Sequence, residues 1–300
     1  MKIQFLNGGL ANQAFQYIFA RHYELSHPGD TMYMDDSYFA LNTVHNGYEL
    51  EKVFGIHPHM LSSCFDERVW NFILDARQKE HKSVPQILME NQIPIDMVSE
   101  VGEECHRFNP FEGRRFHVRC HQYCPEVFAI PEAEENIYYH GYWLNTAWFA
   151  AYRDIFLKEF RFPEITDERN LHYLNEITSS PSVSIHIRRG DYITLNMALP
   201  DEVYSLCAET FFVQYGGDWN LFVFSDDIPW CKEHAQDLQF NLFKKVTFVE
   251  GNIHGENYRD MQLMSQCQAM IMSNSAFCFL AALLNTRREI VLNLTDRDIL

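Results

Sequence analysis

What this chain has little of narrows its chemistry first. Basic residues are scarce: 24 Lys and Arg stand against 41 Asp and Glu, a formal net charge of −17. Non-specific nucleic-acid binding draws most of its affinity from a basic face, so no nucleic-acid partner is expected. No run of about 18 apolar residues occurs, so no membrane span is expected. The opening Met1-Lys2-Ile3-Gln4-Phe5-Leu6-Asn7 is too short and too polar for a secretory signal. Neither G-x-G-x-x-G nor a Walker lysine is found, so no dinucleotide or ATP loop is read. Internal repeats and low-complexity segments are missing too. Eight cysteines are scattered through the chain (64, 105, 120, 124, 207, 231, 267 and 278). We read most of them as reduced, buried thiols of a cytoplasmic protein.

What is present suits a large folded chain. Hydrophobic residues make up 47% of the 300, enough for a substantial core and for two ordinary domains. Lys2 to Leu6 has the pattern of a first strand, and a helix follows from about Asn12 to Leu25. Thr31 to Met34 is a second strand. The region from about 45 to 135 has a mostly helical pattern. Ile137 to Gly141 is a further candidate strand, and Ala147 to Phe160 an aromatic-rich amphipathic helix. From Pro163 the chain alternates regularly. Strands are predicted at Val183–Arg188, Leu221–Phe224, Val246–Val249, Ala269–Met272 and Glu289–Asn293. Helices near 201–215, 256–267 and 276–284 lie between them. Repeated β-α units with apolar strands imply a parallel sheet covered on both faces. We place a domain boundary near Phe162–Pro163, giving 1–162 and 163–300.

Three strand ends in the last third carry polar clusters: Arg188-Arg189-Gly190-Asp191, Ser225-Asp226-Asp227 and Ser273-Asn274-Ser275. Open α/β sheets bind ligands at the carboxyl ends of their strands. Two adjacent guanidiniums suit a phosphate. Ser273-Asn274-Ser275 opens a helix, whose free N–H groups favour an anion. Together these point to a phosphorylated ligand, most simply a nucleotide. An ion-pair hub is the structural alternative for the two arginines. The turn Gly8-Gly9-Leu10-Ala11-Asn12-Gln13 has a similar logic at the first strand, or is an ordinary strand–helix turn.

These blocks resemble the α-1,2-fucosyltransferases of glycosyltransferase family 11. His186-Ile187-Arg188-Arg189-Gly190-Asp191-Tyr192 is similar to the family's H-x-R-R-G-D-Y. Gly8 to Gln13 with Phe15-Gln16-Tyr17 resembles its opening block, and Phe222 to Asp227 with Trp230-Cys231 its F-S-D-D-x-x-W-C. Asp260, Leu263-Met264-Ser265, Cys267 and Ser273-Asn274-Ser275-Ala276-Phe277 resemble the closing blocks. Ala11 departs from the usual glycine, which should stiffen or re-aim that turn, and Cys278-Phe279-Leu280 departs from a serine and two tryptophans.

The resemblance implies a GT-B architecture, two Rossmann-like α/β domains facing across a cleft. It implies GDP-β-L-fucose on the C-terminal domain and a β-galactoside acceptor mainly on the N-terminal one. Transfer to the acceptor 2-hydroxyl would invert the anomeric centre. Arg188 and Arg189 are then expected to stabilise the leaving diphosphate, so that no divalent metal or other cofactor is needed. Asn12 and Gly9 are expected near the reacting groups, and His186 against the donor. Asp226, Asp260, Asn274, Ser275, Ala276 and Phe277 are further donor-binding candidates. Asp191 is either the general base or an ion-pair partner of Arg189. Peripheral contact with the inner membrane fits a lipopolysaccharide acceptor. The rival readings are a GDP-fucosyltransferase of other regiochemistry and a non-catalytic nucleotide-sugar or glycan-binding protein.

Some features carry structural readings beside functional ones. Asp35-Asp36 and Asp226-Asp227 are read as helix caps rather than metal ligands. His117-x-x-Cys120-His121-x-x-Cys124 has donors at near-metal spacing but no companion C-x-x-C cluster. Tyr138, Tyr139, Tyr142, Trp143 and Trp148 are read mainly as core, with Tyr142 and Trp143 the best placed for a sugar. His57-Pro58-His59 is read as a surface turn, and Arg189-Gly190-Asp191 as a chance match to an adhesion tripeptide.

Overall fold

A computed structural model describes residues 1–42, 46–101, 113–130 and 133–293. The chain separates into two compact units, with the break between Arg161 and Phe162.

The first unit is built on a five-stranded parallel sheet in the order β2-β1-β5-β3-β4. Its strands are β1 (Lys2–Phe5), β2 (Met32–Asp35), β3 (Asp96–Val101), β4 (Arg115–Arg119) and β5 (Ile137–His140). Helix Leu10–Ser26 follows β1 and buries Phe15, Ile18 and Phe19 on one stripe. Phe19 stacks on Trp143 at 4.0 Å between ring centroids and meets Trp148 edge-on at 5.1 Å. The opposite face of the sheet packs Ile3, Phe5, Met97 and Tyr138 against Ile73, Ala76, Ile87 and Leu88.

Two predictions fail in this unit. The region from 45 to 135 is not mostly helical, since it holds β3 and β4 beside helices such as Glu67–Glu80 and Val84–Glu90. β3 reads Asp-Met-Val-Ser-Glu-Val, and its buried Asp96, Ser99 and Glu100 interrupt the apolar pattern. The helix expected over 147–160 is two, Thr146–Ala150 and Arg153–Glu159, with a turn at Ala151-Tyr152.

The second unit repeats the plan in the order β10-β9-β6-β7-β8, again all parallel. Its strands are β6 (Ser182–Ile187), β7 (Asn220–Ser225), β8 (Lys245–Phe248), β9 (Ala269–Met272) and β10 (Ile290–Asn293). All six residues of β6 are buried, as expected for a central strand covered on both faces. Val183, Ile185 and Ile187 pack with Leu221, Val223, Tyr204, Phe211 and Ile271. Because β9, β6 and β7 are neighbours, their carboxyl ends lie side by side. Among the described residues no helix is long and apolar enough to cross a membrane.

Candidate active site

β6 delivers the central feature. The strand ends at Ile187, and a short helix over Gly190–Thr194 follows at once. Arg188 and Arg189 therefore occupy the turn, and both are held by carboxylates. Arg188 pairs with Asp191 at 2.7 Å and with Asp226 at 2.9 Å. Arg189 meets Asp227 through Nε at 3.3 Å and Asp201 at 3.9 Å. Its guanidinium lies 3.5 Å from the centre of the Trp230 ring, a close cation–π contact.

Asp191 thus pairs with Arg188, not with Arg189 as the ion-pair alternative had it. The geometry follows from the helical turn, which brings residues 188 and 191 to one side.

The two aspartates after β7 do different things. Asp227 caps helix Ile228–Glu233, its Oδ1 accepting the Trp230 N–H at 3.2 Å. Asp226 caps nothing; its Oδ1 accepts the Arg189 backbone N–H at 2.8 Å while Oδ2 faces Arg188. At the earlier pair Asp36, in the N-cap position, makes no cap hydrogen bond, whereas Asp35 accepts the first N–H of helix Ser37–Leu41 at 3.0 Å. Asp36 accepts the distant Ser62 N–H, and Asp35 is consumed by Ser37, Tyr138 and Arg77.

After β9, Ser275 caps helix Ala276–Leu284 by accepting the Phe277 N–H at 3.3 Å. Asn274 donates to the Met197 carbonyl at 2.8 Å, tying this loop to the segment after the arginine turn. The Asn274 Oδ1 is buried with no hydrogen-bond partner among the described residues. His186 lies below, inside the sheet. It is buried, hydrogen-bonded through Nδ1 to Ser273 at 2.8 Å and stacked on Phe277 at 5.7 Å. Burial, aided by Arg188, depresses its pKa to about 3, so the imidazole is neutral at physiological pH. Ala276 and Cys278 are buried beside it, and Cys278 donates its thiol to the Ser275 carbonyl at 3.1 Å.

Asp260 is tied to a different cluster. Its Oδ1 accepts from Asn252 at 2.7 Å, and Asn252 exchanges two 2.9 Å amide hydrogen bonds with Asn170. Burial raises the Asp260 pKa to about 7. No hydrogen bond or ion pair among the described residues links this cluster to the arginine turn. A recess of about 460 Å³ beside it is lined by Asp167, Arg169, Asn170, Asn252 and Glu256.

In the first unit, Gly8 has a φ of +78°, which only glycine adopts without strain. A Cβ there would lie 2.7 Å from the Asn12 amide nitrogen, so Asn12 folds back against the loop. Gln13 holds the loop by donating to the Gly8 and Gly47 carbonyls, each at 2.9 Å. Asn7 and Gln16 exchange a second pair of bonds. Gly9 is extended and precedes the helix, whereas Ala11 is already inside it and buried. The turn is therefore shaped at Gly8, and the alanine does not re-aim it.

Trp143, expected beside Tyr142 as a sugar-stacking candidate, is fully buried and packs on Phe19. Tyr142 stays half-buried at the end of β5. Of the cysteines, Cys231, Cys267 and Cys278 are buried, while Cys64 is exposed and Cys120, Cys124 and Cys207 lie between. Cys105, like residues 294–300, lies outside the described residues. Trp230 and Asp201 are the site residues that sequence reasoning missed. Trp230 stood in the F-S-D-D-x-x-W-C block, but nothing in its spacing announced the stack on Arg189.

With this geometry in place, comparison with known proteins is decisive at the level of family. The profile of glycosyl transferase family 11 matches residues 5–298, and the chain belongs to that family. An alpha-1,2-colitosyltransferase of Escherichia coli is 28% identical over 92% of this chain and 85% of its own length. The O-antigen biosynthesis glycosyltransferase WbnK, also of E. coli, is 25% identical over 94% and 89%. Human galactoside alpha-(1,2)-fucosyltransferase 1 is 28% identical, over 34% of this chain and 28% of its own. Among solved structures, the fucosyltransferase NodZ from Bradyrhizobium superposes with a TM-score of 0.51 at 16% identity, covering 94% of this chain and 92% of that one. The fold is accordingly GT-B, α/β with two parallel sheets. The protein is a fucosyltransferase-like glycosyltransferase.

Proposed function

We propose that the chain moves L-fucose from GDP-β-L-fucose to the 2-hydroxyl of a terminal β-galactoside, with inversion and with no divalent metal at the diphosphate. The observation that carries this reading is the pair of guanidiniums at the carboxyl tip of β6, in a chain otherwise strongly acidic.

The transition state of such a transfer resembles an oxocarbenium ion, and negative charge builds on the departing diphosphate. Arg188 and Arg189 are the groups to receive that charge. Both guanidiniums are paired with aspartates, so the diphosphate competes with carboxylates for them. That exchange gives Asp191 its role. When the donor phosphates take Arg188, Asp191 is released to accept the proton of the acceptor hydroxyl. The acceptor oxygen forms the new bond to the anomeric carbon as the bond to the diphosphate breaks, and GDP leaves. The neutral His186 is a packing platform beneath Ser273 rather than a proton carrier. The buried Oδ1 of Asn274, unpartnered among the described residues, is the candidate acceptor for a donor hydroxyl. Asp260 is the candidate nucleoside contact, and Asn12 with Gly9 orient the acceptor from the first unit. Such an acceptor fits a bacterial cytoplasm, with peripheral contact at the inner membrane.

The donor sugar has a second reading, because one of the better-matched relatives is named a colitosyltransferase. The test is GDP release from GDP-fucose with lactose in EDTA, followed by NMR of the product. Release with an α-1,2 linkage supports the proposal. Turnover with a colitosyl donor but not with GDP-fucose would replace it, and an α-1,6 linkage would change the regiochemistry. Failure to bind GDP would end it.

A further inference from the structure

Another cluster contains none of the residues assigned to this chemistry. It stands at the carboxyl edge of the first sheet, where β3 and β4 end side by side. The backbone ladder continues one step past the strands, since the Cys120 N–H donates to the Val101 carbonyl at 2.8 Å. This places Cys120 and His121 next to Glu100. One donor atom from each of the three lies within 4.8 Å of the other two.

We propose that Glu100, Cys120 and His121 bind a divalent ion of the zinc class, with solvent in the fourth position. The Cys120 Sγ and His121 Nε2 are 3.5 Å apart. Bonds of about 2.3 Å to sulfur and about 2.05 Å to nitrogen at a tetrahedral angle give an edge of about 3.5 Å, so the pair is already at ligand spacing. Glu100 supplies the oxygen. It is fully buried and fixed by backbone donors: His121 N–H to Oε1 at 3.0 Å, and Tyr142 and Trp143 N–H to Oε2 at 2.7 and 2.9 Å. An ionised carboxylate oxygen has two lone pairs, so Oε1 keeps one for a metal. The N–H groups act as the outer partners that orient a metal-binding carboxylate. Gly141 is part of the same construction, because a Cβ there would lie 2.7 Å from the Glu100 carboxylate.

A thiolate, an imidazole and a carboxylate favour zinc over magnesium or calcium, which prefer oxygen alone. The donor set differs from the one suggested by sequence spacing. His117 is exposed on β4, and Cys124 sits against Glu126 in the next turn. Glu100, twenty residues before Cys120, replaces them. The ion would staple the end of β3 to the end of β4. This site is in the first unit and does not depend on the fucosyltransfer reading.

The test is cobalt titration of the metal-stripped full chain, followed optically. The native chain should develop a thiolate-to-cobalt charge-transfer band and tetrahedral d–d bands, which zinc then bleaches. Cys120→Ser should abolish the charge-transfer band, and His121→Gln should weaken cobalt binding at least tenfold. Cys124→Ser and His117→Ala should leave the spectrum unchanged. A native chain without the band overturns the proposal whatever the variants do. So does a band that survives in a folded Cys120→Ser, or one that is lost in Cys124→Ser.

Discussion

Gly190 faces Asp226 so closely that a Cβ on it would lie 2.5 Å from the Asp226 Oδ2. The glycine is there for space, since the same carboxylate must reach Arg188 and the Arg189 N–H. Gly190→Ala should therefore push Asp226 off both partners. We expect at least a tenfold loss in kcat/KM, with the far-ultraviolet circular dichroism unchanged. Full activity would show that Asp226 does not hold the turn.

Asp226 itself separates charge from shape. Asp226→Ala removes the acceptor for the Arg189 N–H and one anchor of Arg188 and should weaken GDP binding by roughly 10- to 100-fold, in line with the roughly 1.5–3 kcal/mol typical of charged hydrogen bonds. Asp226→Asn can still accept the N–H and should retain most of the affinity. Calorimetric titration with GDP checks both, and equal losses would refute the division.

Arg189→Ala should lower kcat by on the order of 10²-fold if this guanidinium meets the leaving phosphate. Steady-state kinetics with GDP-fucose decide it, and a near-normal kcat would restrict Arg189 to its ion pairs.

Asp191→Asn tests the proposed base. The kcat should fall while GDP affinity holds, because Arg188 keeps Asp226. The pH–rate profile should lose its acidic limb. A profile that keeps its shape would leave Asp191 as a partner of Arg188 only.

Asp260 gives a pH prediction. Its carboxyl titrates near 7 in the folded chain against an ordinary value of 3.8. Between those values the folded chain binds the extra proton, so stability falls as pH rises from about 4 to about 7, by up to about 1.4 kcal/mol per unit. Asp260→Asn should flatten this slope in urea denaturation. An unchanged slope would mean that other groups carry it.

The second unit was legible in the sequence because its strands are apolar and short and its polar residues cluster at their ends. Ala269–Met272 and Ala276–Leu284 match the observed elements residue for residue. The first unit was less legible. β3 carries Asp96 and Glu100, whose burial is compensated by Arg114 and by three backbone N–H groups distant in sequence. No local pattern reveals such partners. The arginine site shows the same limit. Its residue types were evident, but the pairing of Arg188 with Asp191 and Asp226, and of Arg189 with Asp227, depends on which strand ends are neighbours.

The stack of Arg189 on Trp230 gives the molecule a built-in optical reporter. Indole emission responds to a cation lying over its face. A guanidinium that turns from the ring toward a diphosphate changes that emission without any added dye. Arrival of the donor can then be timed in a stopped-flow cell on the unmodified chain, with a Trp230→Phe variant reporting the signal of the other four tryptophans.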